Sequence, residues 1–159
     1  MIKRETDTKR GLIRFNGDDI ALAATMIEKL STTIDIMYYL MNRREERSFV
    51  MMLVSDEKID VGDIVAEQKR NTDILFKLDE NRHIYAIICQ DTKIDGGYHF
   101  ADRVMRHMQI NEAEEPYCVE VEVRTTVHEI KFIVFKLLEE YLKAKEEKLG
   151  GEIVFKTLN

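Results

Sequence analysis

The chain has 159 residues, of which 45% are hydrophobic and 34% charged, and its formal net charge is -6 at pH 7. We expect one globular domain with its own core. The acidic balance, without a basic stripe that carries aromatic residues, does not suit a nucleic-acid partner. No apolar run reaches the roughly 18 residues that cross a bilayer, and the first ten residues hold no apolar stretch behind their charges, so we expect a cytoplasmic protein without a membrane span.

A long helix is predicted over residues 17–46, because Asn16, Asp18 or Asp19 can cap it and apolar residues then recur at alternating spacings of three and four. The apolar seam consists of Ile20, Ala23, Ile27, Leu30, Ile34, Met37 and Met41. Such a seam either packs on its own domain or pairs with a second copy as a coiled coil, and the pattern leaves both open. Residues 1–16 precede it as a tail or a strand.

The remaining residues, 47–159, are predicted to form an α+β core. The run SFVMMLVSDE at 48–57 is typical of a strand buried on both faces. After a short helix, two apolar runs within 73–92 are separated by four polar residues from Asp79 to Arg82 and predict a β-hairpin. We therefore expect a central sheet that is rich in antiparallel pairs and flanked by helices.

Three further elements complete this core. A helix follows the strand-to-helix turn at Gly96 and Gly97, and a strand whose residues alternate between apolar and charged from Cys118 to Val123 is expected to have one face in water. An amphipathic helix is predicted from residue 129 to a stop at Gly150 and Gly151, before a last short strand at 152–157.

The cysteines and histidines indicate no metal or redox chemistry. Cys89 and Cys118 lie inside apolar or alternating segments, where free buried thiols are the expected state. The four histidines are scattered and none has a partner at metal-ligand spacing. We therefore predict no cofactor.

With these elements in order, the chain resembles the GGDEF family of diguanylate cyclases along nearly its whole length. The family's D-x-L-T-x-L-x-N-R-R signature is matched in register by Asp35, Leu40, Asn42, Arg43 and Arg44, whereas Tyr38 and Tyr39 depart from it. Further matches to its later segments are Arg70, Asp73, Asp91, Thr92, Ala101, Arg103, Ala144, Lys145 and Val154. The resemblance implies a nucleotidyl-cyclase-like palm with a ferredoxin-like core.

The family's GGDEF turn falls, in this register, on the predicted hairpin turn. The residues there are Asp79, Glu80, Asn81, Arg82 and His83. The eye-catching segment from Gly96 to Phe100, GGYHF, lies after the hairpin, so we interpret its glycines as an ordinary turn before a helix.

The resemblance also implies which chemistry has been lost. Family members hold divalent metal ions with an Asp at the end of the first strand and an acid in the GGDEF turn, and the glycines let the backbone approach the nucleotide. Here Asp79 and Glu80 replace the glycines, and Arg82 stands where an acidic ligand is expected. No metal site is predicted, with Asp56 the one remaining candidate ligand and Val54 at that position in the alternative register.

A second nucleotide-binding element is shortened. The family's long helix after the first strand grips GTP, but here Arg70 follows Asp63 after only seven residues, so roughly two helical turns are missing. We therefore favour a catalytically inactive GGDEF-like signalling or protein-interaction module, whose partner is another protein or a second copy in a homodimer.

Two alternatives stay open. In the family, an R-x-x-D motif five residues before the signature binds cyclic di-GMP at an inhibitory site, and Arg70 and Asp73 occupy these positions, so the domain could be a cyclic di-GMP receptor. The other is an active nucleotide cyclase with an altered metal site. Its candidate ligands are Asp56, Glu57, Asp79 and Glu80.

Overall fold

The structure, a computed structural model, describes residues 14–44 and 46–159, so most of the tail or strand expected over residues 1–16 lies outside the described residues. The helices are α1 (Gly17–Asn42), α2 (Gly62–Gln68), α3 (Ile94–Ile110) and α4 (Ile130–Glu146). The strands are β1 (Phe49–Ser55), β2 (Asp73–Asp79), β3 (Ile84–Cys89), β4 (Tyr117–Val123) and β5 (Ile153–Leu158).

The five strands form one mixed sheet in the order β2-β3-β1-β4-β5. β1 is central and pairs antiparallel with both β3 and β4, and β2 pairs antiparallel with β3. β5 runs parallel to β4, because α4 carries the chain back between them. The α+β fold with an antiparallel-rich sheet and a long N-terminal helix is thus confirmed.

Helices cover both faces of the sheet, which explains why β1 is buried throughout and is apolar except for Ser55. α1 and α4 pack on the face that includes Met51 and Leu53, and α2 and α3 pack on the face that includes Val50 and Met52. Cys89 and Cys118 lie in the second of these cores as free, buried thiols. Among the helices of the described ranges, none is long and apolar enough to cross a membrane.

α1 begins with a reciprocal cap. The Asn16 side chain accepts a hydrogen bond from the Asp19 backbone N–H at 2.9 Å, and the Asp19 carboxylate accepts one from the Asn16 N–H at 3.0 Å. Of the three expected caps, Asn16 is therefore the one used. The helix ends at Asn42, four residues earlier than the expected 46, and the chain turns away at Arg44, whose φ of 62° is left-handed.

The expected wet face of β4 was wrong. Every residue from Tyr117 to Val123 is buried, including Glu120 and Glu122, because α3 packs across the face on which both acids lie. The Glu122 carboxylate accepts hydrogen bonds from the Ile94 backbone N–H and the Thr157 hydroxyl, both at 3.0 Å. The alternation of apolar and charged residues in β4 therefore reflects two buried faces with different neighbours and not one face in water.

The glycines also act differently from expectation. Gly96 and Gly97 lie in the first turn of α3 and not before it, since the helix begins at Ile94. A Cβ on Gly97 would stand 2.8 Å from a Glu120 carboxylate oxygen, so glycine permits the close approach of helix and sheet. α4 ends at Glu146, ahead of the expected stop at Gly150 and Gly151.

Candidate functional site

The hairpin that joins β2 to β3 has its turn at residues 80–83, where the two apolar runs predicted it. An ion pair builds this turn: the Arg82 Nε lies 2.7 Å from Asp79 Oδ2, and the Arg82 backbone N–H donates to Asp79 Oδ1 at 3.0 Å. Burial tends to raise the pKa of Asp79, but the bonds from Arg82 outweigh it and the net shift is downward. His83 completes the turn with a left-handed φ of 53°.

Asp56 follows β1 directly and is 1% exposed. Its Oδ2 accepts from the backbone N–H groups of Lys58 and Ile59, both at 2.9 Å, and its Oδ1 accepts from that of Glu115 at 2.8 Å. Burial tends to raise the pKa of Asp56, but these hydrogen bonds outweigh it and hold the pKa below its usual value. The carboxylate thus pins two loops to the end of the strand.

Asp56 and the hairpin turn share a cavity of about 210 Å³. Its lining residues are Ser55, Asp56, Glu57, Asn81, Arg82, Tyr117, Tyr141 and Lys145. The Tyr141 and Ser55 hydroxyls lie 2.7 Å apart, and burial raises the pKa of Tyr141 to about 12, so the phenol keeps its proton near neutral pH. Neither Tyr117 nor Tyr141 was predicted as a site residue, although Tyr141 precedes Lys145 by one helical turn on α4.

The four acids of the altered-cyclase alternative do not form one ligand group. Asp79 is paired with Arg82, and the Glu80 carboxylate is 79% exposed and lies 3.4 Å from the Lys77 ammonium. Over residues 14–44 and 46–159, no group of three or more His, Cys, Asp or Glu side chains is arranged to hold a metal ion. Asp56 and Glu57 alone reach the cavity.

Arg70 and Asp73 form a closed pair at the start of β2. Arg70 Nη2 lies 2.8 Å from Asp73 Oδ1 and also donates to the Gln90 carbonyl at 2.9 Å and the Thr92 hydroxyl at 2.6 Å. The hydrogen bond to Asp73 raises the pKa of Arg70 further. This pair ties the beginning of β2 to the segment that follows β3.

A second cavity, of about 230 Å³, adjoins this pair. Its lining residues are Arg70, Asp73, Cys89, Thr92, Gly96, His99, Phe100 and Arg103. Arg103 and His99 come from α3 and bring a cation and an imidazole ring to the cavity that Arg70 lines. Their position beside Arg70 could not be predicted from the sequence, because the two segments are separate in the chain and meet only through the packing of α3.

The apolar seam of α1 faces mainly inward. Ala23, Leu30, Ile34 and Met37 are buried in the domain's own core, and Ile27 and Met41 pack against it in part. Only Ile20, at 59%, is largely exposed.

No family model matches the chain, and no curated protein matches it. Among solved structures, it is similar to the diguanylate cyclase SiaD from Pseudomonas aeruginosa, which was solved in complex with its activator SiaC. The TM-score is 0.54 and the identity 11%, over 74% of this chain and 56% of SiaD, so the chain spans little more than half the length of that cyclase. At this identity, the likeness shows a shared fold.

Proposed function

We propose that the chain is a GGDEF-like domain without cyclase activity that acts as a signalling or protein-interaction module. The observation that carries the proposal is the state of Asp56, the acid at the end of β1. Its two oxygens hold three backbone N–H groups. Joining two GTP molecules requires divalent ions with several oxygen ligands, and a carboxylate already engaged in this way has to give up loop contacts to bind one.

The hairpin turn supports the same conclusion. Arg82 lines the cavity beside Asp56 and places a cation where the charge of a metal ion would be needed, so the two would repel each other. Asn81, also on the cavity, can accept a hydrogen bond but supplies no negative charge. The turn is stabilised by the Arg82–Asp79 pair, which engages the Asp79 carboxylate.

Cyclase activity is tested directly by incubating the purified protein with GTP and either Mg²⁺ or Mn²⁺ and separating the nucleotides by chromatography. We expect no cyclic di-GMP and no pyrophosphate release, while an active diguanylate cyclase in the same buffer serves as positive control. Product that disappears in Asp56→Asn would overturn the proposal in favour of the cyclase with an altered metal site.

The interaction part of the proposal draws support from fold. SiaD was solved in complex with a protein activator, and we propose a protein partner, or a second copy, for this chain as well. A homodimer through the α1 seam would have to use Ile20 and the exposed flank of the helix, because Leu30 and Ile34 are fully buried. Light scattering across a concentration series separates the two cases: a constant monomer mass excludes the homodimer.

A cyclic di-GMP receptor is the second candidate, and the shared position of Arg70, Arg103 and His99 on one cavity favours it. Guanidinium groups pair with guanine edges and phosphates. Asp73 and the carbonyl of Gln90, however, already occupy Arg70, so a ligand must compete with them.

We therefore expect weak or no binding of cyclic di-GMP in calorimetric titration. Micromolar or tighter affinity that is lost in Arg70→Ala and Arg103→Ala would establish the receptor. Arg106→Ala is the matched control, because Arg106 lies on the same helix but pairs with Asp102 outside the cavity.

A further inference from the structure

A cleft of about 580 Å³ lies at the end of α1, outside both cavities described above. One wall is formed by the C-terminal end of α1 together with Arg44, Glu46 and Arg47, and the other by the loop after β4. The lining residues are Met41, Asn42, Arg44, Glu46, Arg47, Arg124, Thr125 and Thr126. The Thr126 hydroxyl donates to the Asn42 side-chain oxygen at 3.0 Å and holds the two walls together.

Three arginines converge on this cleft from different parts of the chain. The left-handed backbone at Arg44 turns the chain at the end of α1, and Arg47 follows just before β1. Arg124 is fixed at the end of β4, where its backbone N–H donates to the Leu158 carbonyl at 3.0 Å. The sheet and the helix end therefore position the three guanidinium groups on one cleft.

Among the residues that the structure describes, no ion pair neutralises the positive charge of this cleft. With respect to residues 14–44 and 46–159, Arg44, Arg47 and Arg124 form no salt bridge. Of the described residues on the lining, one is an acid, Glu46, and three are arginines. The sign of this local charge is opposite to that of the whole chain, whose net charge is -6.

The dipole of α1 could explain a basic residue at its C-terminal end, but it explains only one of the three arginines. Cations near a helix C-terminus interact favourably with its dipole, within about one turn. Arg44 fits this role, since α1 ends at Asn42. Arg124 follows another element, β4, so the dipole of α1 does not explain its position.

We propose that the cleft binds a small anion with more than one phosphate group, of the class of inorganic polyphosphates and nucleoside polyphosphates. Arginine forks donate paired hydrogen bonds to phosphate oxygens, and the hydroxyls of Thr125 and Thr126 and the amide of Asn42 are further polar groups on the lining. A single phosphate would leave most of the cleft empty, and a volume of 300–1,000 Å³ is about that of small-ligand sites.

The test is calorimetric titration with sodium tripolyphosphate in a buffer that contains EDTA, so that no metal-dependent site contributes. Saturable binding with about one site per chain is expected. Arg47→Gln and Arg124→Gln should each weaken it by about tenfold, the effect of losing one charged hydrogen-bonding partner, and the double variant should abolish it. Absence of saturable binding to the wild-type protein would overturn the proposal.

The matched control is Arg106→Gln, which removes the same charge from α3, on the other face of the sheet. It should bind as the wild type does, and an equal loss in this variant would reduce the effect to net charge and refute a site. Circular dichroism melts establish that each variant is folded, and Arg47→Lys should restore part of the affinity. A parallel titration with ATP distinguishes the two ligand classes. If ATP binds more tightly than tripolyphosphate, the cleft recognises a nucleotide, and if the two bind equally, it recognises the phosphates alone. Neither ligand should bind the double variant.

Discussion

At the scale of single residues, Glu120 is the most unusual side chain of the core. It is fully buried in β4, and neither carboxylate oxygen has a hydrogen-bond partner in the described part of the chain. Burial raises its pKa to about 8, because the charged form loses its hydration without compensation. Near neutral pH the folded domain therefore holds Glu120 mainly in its protonated form.

This residue should make folding less favourable as pH rises. The unfolded chain releases the Glu120 proton near the ordinary value of 4.5, whereas the folded chain keeps it until about pH 8. Stability that is fully present below pH 4.5 is therefore lost progressively up to pH 8. Asp56 and Asp60, whose pKa values are lowered, act in the opposite direction and only below their ordinary value of 3.8.

We predict that Glu120→Gln flattens this dependence. Urea unfolding between pH 4.5 and 8.5 should show a smaller loss of stability for the variant than for the wild type, because glutamine has no proton to release. Burying the glutamine amide costs the variant the same free energy at every pH, so this cost does not affect the slope of stability against pH. Glu28→Gln on the exposed side of α1 is the control and should follow the wild type; an identical slope in Glu120→Gln would contradict the assigned role.

Glu120 also shows why residue patterns mislead. Alternating apolar and charged residues predicted a solvent-exposed face for β4, because a charged residue in a sequence usually indicates an exposed side chain. Burial depends on whether α3 lies over that face, and this is a tertiary contact between segments about 20 residues apart that no local pattern encodes.

At the scale of elements, the helical state and the first residue of α1 were predicted correctly, whereas its role was left open. Its spacing of apolar residues predicted a helix, and its cap was among the candidates, because both are local properties. The partner of the apolar seam, which is either the domain's own sheet or a second copy, depends on tertiary contacts. The spacing of apolar residues is the same in both cases. The hairpin was predictable for the same local reason, since two apolar runs bracket one polar turn.

We predict that Ile34→Ala lowers the free energy of unfolding by about 2–5 kcal/mol, the usual cost of a cavity in a packed core. Ile34 is fully buried in the core that α1 and α4 form with the sheet, whereas Ile36, on the same helix, is 50% exposed. Ile36→Ala is thus the matched control and should change stability by less than about 0.5 kcal/mol. Chemical denaturation measures both, and equal effects would show that the inward face of α1 is assigned wrongly.

At the scale of the whole molecule, β1 connects the two cores. One set of its side chains packs under α1 and α4 and the other under α2 and α3, and both of its edges are hydrogen-bonded. Neither core can be opened fully without disturbing this strand. The resulting sheet was predictable in class from the order of elements, but its strand order depends on pairings between distant segments.

We predict that the backbone amides of β1 exchange most slowly with deuterated solvent, at a rate set by global unfolding. α2, which has only seven residues and lies at the surface of its core, should exchange much faster. Hydrogen exchange followed by mass spectrometry or NMR provides the measurement. Ile34→Ala and Met108→Ala, one in each core, should both accelerate the β1 amides; an effect confined to one variant would indicate two independent folding units.

The two thiols of the sheet interior make such openings chemically visible. Cys89 lies opposite Val50 and Cys118 opposite Val54, on the two strands that flank β1. They are two strand spacings apart and are also offset by four residues along β1, which together exceed the reach of a disulfide. Burial raises the pKa of both thiols, so we expect both to react slowly while the sheet is closed. A thiol reagent therefore records each opening of the native domain, and any ligand that binds only the closed form slows the modification, which gives the unlabelled chain a built-in binding assay.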